Sequence, residues 1–265
     1  MIKILNYGSC FAGSVAHCLS EIFRTRYDRI SSVQHNRIDN FVKAYVEQSE
    51  SPVLLADIDF KLKPSAQLVV DNQLSDVLLG KSLPYGLSRD KLLHPVGAVA
   101  EGVDLLLIDN FAELLFRSFK HVESNKRLYF HPDHIIGKMS EGFTLPSDRL
   151  SAETSITYYS DLLAWCRRSN PNALAIFLNF PIDMRSKSGL HDRILAFRTA
   201  SQTLTRESGF GVVDLCWPVE TDFKDPYHFT WKRYQQYAYI VEGLMRDLQD
   251  GSEFHGHGLD TREAI

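Results

Sequence analysis

Residues 1–23 read MIKILNYGSCFAGSVAHCLSEIF. An apolar run over residues 2–7 stops at Gly8. A stretch with helical spacing comes next, with Val15, Cys18, Leu19, Ile22 and Phe23 on one face. A period change at a glycine predicts strand, sharp turn, helix, which is the repeating unit of a parallel sheet. Ser9 and Cys10, two candidate nucleophiles, stand side by side where the strand turns into the helix.

Four more short runs carry the same signature, over residues 27–33, 103–108, 173–179 and 211–216. All but the more polar run at 27–33 are nearly continuous in apolar residues, as strands covered on both faces are. Helical patterns fill the gaps at 111–119, 158–165 and 191–206. The last helix starts at Trp231 and repeats Tyr234, Ala238, Val241, Met245 and Leu248 at spacings of three and four. The alternation predicts an α/β fold with helices on both faces of a five-stranded parallel sheet. We take residues 1–250 as one domain. Residues 49–102, rich in proline, read as an insertion with one or two helices, such as one at 72–79, and residues 125–146 read as loop. Residues 251–265 lack apolar periodicity and read as a peripheral or disordered tail.

The 265 residues are 44% hydrophobic and 23% charged, the composition of a soluble globular protein. A net charge of −4 gives no electrostatic footprint for nucleic acid. No signal peptide or membrane span is legible. The four cysteines, Cys10, Cys18, Cys166 and Cys216, are scattered and form no CxxC pair. That argues against a disulfide framework or thiolate zinc site and points to a reducing, cytoplasmic setting. His131 with His134, and His255 with His257, have no further ligands at fixed spacing and read as surface histidines, so no metal is expected. Asp57 and Asp59 read as solvated carboxylates.

Ligands of open parallel sheets bind beyond the carboxyl ends of the strands. Those ends carry Gly8–Ser9–Cys10, then His35 and Asn36, then Asp109 and Asn110, then Phe180 and Asp183, and finally Asp225 and His228. A thiol at a helix start feels the positive end of the dipole, which favours thiolate, and first-turn N–H groups can hold an oxyanion. Gly8 permits the turn, and Ser9 can cap the helix. Taken alone, the tripeptide favours a turn, a cap and a small buried residue. His228 in the sequence DPYH (residues 225–228) adds a base, and Asp225 a partner to orient it. Ser9 and Asn110 are candidate oxyanion or substrate-binding groups, and Asn36 and Ser32 are weaker ones; Asp109 is a charged partner or cap. A variant with Ser9 as nucleophile and Cys10 as packing stays open.

With these residues in place the chain resembles the SGNH (GDSL-type) hydrolases. Their first strand ends in Gly-Asp-Ser, where this chain reads Gly8, Ser9, Cys10, so Cys10 takes the nucleophile's place. Their terminal Asp-x-x-His matches Asp225 and His228. Their oxyanion asparagine matches Asn110 approximately, since Gly-x-Asn-Asp is absent, and their glycine donor after the second strand has no clear counterpart near Asn36. The string YGSCFA (residues 7–12) is similar to the GSCFA-type branch and to related proteins of polysaccharide-biosynthesis loci. The resemblance implies a flavodoxin-like three-layer α/β/α sandwich. It also implies an esterase or O-acyltransferase acting on carbohydrate, with a small-molecule or glycan substrate. No cofactor is implied, beyond an acyl-CoA donor if it is a transferase. The alternative is an inactive SGNH-like module that binds carbohydrate or a partner protein. The oligomeric state is not set by the sequence.

Overall fold

Strand β1 (Ile2–Gly8) is an inner strand of a five-stranded parallel sheet, paired on both sides. The computed structural model describes residues 1–52, 54, 61–74, 92–124, 126–137, 141–147, 149–181, 188–225 and 228–250. The sheet is completed by β2 (Tyr27–Gln34), β3 (Leu105–Asp109), β7 (Leu174–Leu178) and β8 (Phe210–Val213), in the order β2-β1-β3-β7-β8. Each of the five predicted runs is a strand, and the predicted architecture stands. Strand β3 shows why: all five of its residues are buried, and only its last, Asp109, is charged. A strand covered on both faces has no room for polar alternation.

Helix α1 (Cys10–Ile22) packs against the C-terminal helix α8 (Trp231–Asp250). Helix α6 (Ala152–Arg167) packs against α2 (Ile38–Phe41) and α7 (Ser188–Ser201). The chain moves from β1 outward to β2, then returns to β3 on the other side. With right-handed crossovers this reversal sends the two helix groups to opposite faces. It also opens a crevice between the carboxyl ends of β1 and β3, the topological switch point where such sheets bind ligands. Among the described residues no helix is long and apolar enough to cross a membrane.

The structure corrects the reading of 111–146. The helix expected at 111–119 is only α5 (Phe111–Leu115), and the chain then forms β4 (Arg117–His121). The segment read as loop contains β5 (Arg127–Phe130) and β6 (Phe143–Ser147), which pair antiparallel with β4 in the order β5-β4-β6. Their inward residues join Leu62, Ala66, Val70 and Leu74 in a second, small core with Phe119, Leu128, Phe130 and Phe143. The helix here is α3 (Pro64–Asp71), begun by Pro64 at its first position, and α4 (Pro95–Ala100) comes later. The helix expected at 72–79 is not found where it can be checked: α3 ends at Asp71, and residues 75–79 lie outside the described residues, as does the tail at 251–265.

Gln73, just past α3, ties that helix to the small sheet. Its amide oxygen accepts from Tyr129 N at 2.8 Å, and its amide nitrogen donates to the Tyr129 carbonyl. One side chain thereby takes both backbone groups of a residue on edge strand β5. The neighbouring Asn72 faces the main site. The last short pair is β9 (Phe223–Asp225) with β10 (His228–Phe229), whose register sets His228 opposite Asp225.

Candidate active site

Gly8 closes β1 with φ +138°, and a Cβ there would lie 2.6 Å from the Asp109 carboxyl carbon. Only glycine lets β1 and β3 approach this closely while taking that backbone shape. The Asp109 carboxylate therefore lies under the start of α1. Its Oδ2 accepts from Ser9 N at 2.8 Å, Ser9 Oγ at 2.9 Å and Ala12 N at 2.9 Å, while Oδ1 accepts from Phe111 N at 3.0 Å. Asp109 is fully buried; burial raises its pKa and these donors oppose the rise.

This arrangement corrects two expectations. Ser9 is the N-cap, with Oγ accepting from Phe11 N at 3.1 Å and donating to Asp109. Its N–H and hydroxyl are both committed, so Ser9 supplies neither an oxyanion donor nor a free nucleophile. The helix start also does not make Cys10 a ready thiolate. The anion that occupies the helix N-terminus is Asp109. Burial first, then the charges of Asp109 and Asp225, push the Cys10 thiol up to about 11. The N–H groups of Ser9, Phe11 and Ala12 are taken by Asp109 or Ser9, whereas that of Cys10 faces its own sulfur and favours the thiolate.

Asn110 is buried, and its Oδ1 accepts from Phe180 N at 2.8 Å, which aims the side chain along the loop after β7. Among the described residues its amide nitrogen has no hydrogen-bond acceptor. Asn36 and Ser32 are placed differently. Asn36 is closed off from solvent, with Oδ1 bonded to Asn40 at 2.9 Å and its amide nitrogen without a partner among the described residues. Ser32 lies inside the sheet, opposite Asn6 in the register, and accepts from the Asn6 amide at 2.9 Å. It is a structural hydroxyl rather than one at a strand end.

His228 Nδ1 is 2.9 Å from both Asp225 carboxylate oxygens, and both side chains are nearly half exposed. Nε2 is left without a partner among the described residues. No hydrogen bond joins His228 to Cys10. The imidazole that does contact the sulfur belongs to His35, whose Nε2 is 4.0 Å from Cys10 Sγ, the outer limit for such a contact. The backbone of His35 is left-handed, with φ +57°, and its N–H donates to the Gly8 carbonyl at 2.7 Å. Its Nδ1 is 2.9 Å from the Asn72 amide nitrogen. Burial first, then the nearby His228, lower the His35 pKa to about 4, so the ring is neutral at ordinary pH.

A signal for this grouping was present in the sequence. Cys10, Asn110, Asn179 and His228 are each succeeded by phenylalanine. Phe11 packs edge-on against Phe180 at 5.4 Å and Phe229 at 5.6 Å, and Phe111 packs edge-on against Phe180 at 4.9 Å. Edge-to-face pairs of this kind contribute roughly 0.5–1.5 kcal/mol each beyond the area they bury. They tie together the loops that carry the polar groups.

Among the described residues no group of three or more His, Cys, Asp or Glu side chains comes together as a metal site. His131 and His134 flank a short turn with ring centres 5.7 Å apart. Asp57, Asp59, Asp183, His255 and His257 lie outside the described residues. A cavity of about 320 Å³ beside edge strand β8, between α7 and α8, shares no residue with the site.

No family model matches the chain, and no curated protein sequence does. Solved structures do. A carbohydrate esterase of family 3 from Talaromyces cellulolyticus is 14% identical with a TM-score of 0.43, over 94% of this chain and 99% of its own. A putative lipolytic protein of the G-D-S-L family from Desulfitobacterium hafniense is 10% identical with a TM-score of 0.45, over 92% and 99%. An acetyl xylan esterase from Butyrivibrio proteoclasticus is 13% identical with a TM-score of 0.44, over 94% and 64%.

Proposed function

We propose that this chain is an SGNH-like acyl-ester enzyme in which Cys10 is the nucleophile and His228, oriented by Asp225, the base. The observation that carries the reading is the division of labour at the switch point. Asp109 binds the Ser9 hydroxyl and three N–H groups but takes neither the Cys10 thiol nor its N–H, while Asp225 holds Nδ1 of His228 and leaves Nε2 to work.

Because the thiol is pushed up to about 11, the proton leaves as the nucleophile attacks rather than beforehand. Sγ forms a bond to the acyl carbon and its proton passes to His228. The carbonyl oxygen, now anionic, lies against Cys10 N–H and the Asn110 amide. The C–O bond then breaks, and His228 gives the proton to the departing alkoxide. A water or a sugar hydroxyl attacks the thioester, His228 takes its proton, and the thiol re-forms. Water makes the chain an esterase; a sugar hydroxyl makes it an O-acyltransferase, with an acyl-CoA as a suitable donor. Carbohydrate is the substrate class that the resemblance of YGSCFA to proteins of polysaccharide loci implies.

The test is mass spectrometry of the Cys10 peptide after incubation with acyl-ester and acyl-thioester donors. The expected result is an acyl adduct on Cys10 that is absent in Cys10→Ala, together with loss of turnover in that variant. Full turnover in Cys10→Ala overturns the reading. A second reading, a non-catalytic pocket for glycan or a partner protein, is favoured by the raised thiol and by the missing Cys10–His228 hydrogen bond. Carbohydrate binding with no adduct from either donor would establish it.

A further inference from the structure

His35 belongs to no role in the reaction described above, yet its ring is the one in contact with the Cys10 sulfur. We propose that His35 is a further catalytic residue, a neutral hydrogen-bond donor whose Nε2–H, set by the Asn72 amide on Nδ1, stabilises the Cys10 sulfur as it takes on negative charge. The inference rests on Cys10 being the nucleophile.

Three observations support it. An amide nitrogen has only hydrogens to offer, so Asn72 at 2.9 Å makes Nδ1 the acceptor and puts the ring hydrogen on Nε2. Nε2 points at Sγ. The ring is held in place from both sides: its backbone N–H is fixed to the Gly8 carbonyl in a left-handed conformation, and Phe111 packs edge-on at 6.4 Å. A non-glycine residue in that conformation carries strain of about 1 kcal/mol, which the surrounding contacts must offset. The charges near the sulfur are the carboxylates of Asp109 and Asp225, both of which oppose a thiolate. A neutral side-chain donor is the group the sulfur lacks. His35 cannot be the proton acceptor, because the nitrogen that faces the sulfur already carries a hydrogen. The two histidines thus divide the work: His228 removes the proton, and His35 holds the charge left behind.

The test compares His35→Gln with His35→Asn in the full chain. The Gln amide nitrogen falls where Nε2 was, whereas Asn tolerates the left-handed backbone but falls short of the sulfur. The readout is the iodoacetamide rate at pH 8, with the label located on Cys10 by peptide mass spectrometry. We expect His35→Asn to slow labelling roughly tenfold, the factor one pK unit carries, and His35→Gln to stay within about threefold of the parent rate. A parent-like rate in His35→Asn, or equal slowing in both variants, overturns the proposal. A second measurement needs no variant. Nitrogen-15 spectra of the histidine-labelled parent chain should show His35 as the Nε2–H tautomer, and the Nδ1–H tautomer overturns the proposal. Neither measurement uses an ester. Failure of acyl capture with both results intact would remove the reaction, and with it the catalytic role, and leave His35 only as a hydrogen-bond donor to the Cys10 sulfur.

Discussion

Two histidines meet at the start of α1, and the chain holds them in opposite ways. His228 is nearly half exposed, on a short hairpin, with a carboxylate on Nδ1. His35 is buried at the end of β2, with an amide on Nδ1 and a neutral ring. A carboxylate partner favours the imidazolium that a base must become, whereas an amide partner fixes one tautomer and adds no charge. The same side chain is thus suited to move a proton in one place and to hold a hydrogen still in the other. The difference lies in what the fold places behind the ring.

The largest effect should come from removing the exposed member. His228→Ala is expected to lower acyl turnover by about 10²–10⁴-fold, the usual contribution of a general base, with a melting temperature close to the parent's because the side chain is exposed. Steady-state kinetics with a chromogenic ester, alongside a thermal melt, checks both halves. If turnover survives, the comparison breaks at its stronger end.

The shared platform comes next. Asp109→Ala leaves the N–H groups of Ser9, Ala12 and Phe111 without an acceptor inside the protein. Stability should fall by roughly 3 kcal/mol or more, since each unmet buried donor costs about 1–3 kcal/mol. Urea unfolding measures this, and an unchanged midpoint would mean that the Asp109 hydrogen bonds do not hold the site together.

A third test exploits the neutral ring. The pKa of His35 is about 4 in the folded chain and about 6.5 in an unfolded one. The unfolded state therefore binds more protons between these values, and this part of the stability is present above pH 6.5 and lost as pH falls toward 4. Relative to His35→Gln, the parent should lose on the order of 3 kcal/mol across that window. Matched urea curves at pH 7 and pH 4.5 provide the measurement; parallel behaviour of the two proteins would show that the ring is not buried neutral.

The smallest effect is at the cap. Ser9→Ala removes the Oγ contacts to Phe11 N and Asp109. It should cost about 1 kcal/mol while sparing Cys10 alkylation. Loss of alkylation would reopen the assignment of roles between the two neighbours.

The five main strands were legible because burial on both faces leaves a continuous apolar run, as in the buried residues of β3. Cys10 and Asn110 were legible as candidates because each lies just beyond the carboxyl end of a main strand, where the polar groups of such a sheet converge. Asp225 and His228 were legible only as the pair in DPYH, since they sit on a separate short hairpin well past the end of β8. Asp109 was legible as a partner or cap, but not that it holds the start of α1, since that depends on a contact with Gly8 about a hundred residues away. Nor was the role of His35, because one histidine after a strand looks the same whether it packs or works; Asn72, which sets it apart, comes from another layer. The small sheet escaped the sequence pattern because its strands are four or five residues long and carry charges, as in Arg117–His121.

Gln73 has a consequence for how the chain behaves among copies of itself. Strand β5 ends the small sheet, and an unpaired strand edge is a template on which another chain can add. By taking both backbone groups of Tyr129, the Gln73 amide imitates one residue of a neighbouring strand and blocks that growth at its centre. A side chain thus adds to the charge of Arg127 on that strand in keeping the edge occupied, and it does so next to the residue that orients His35.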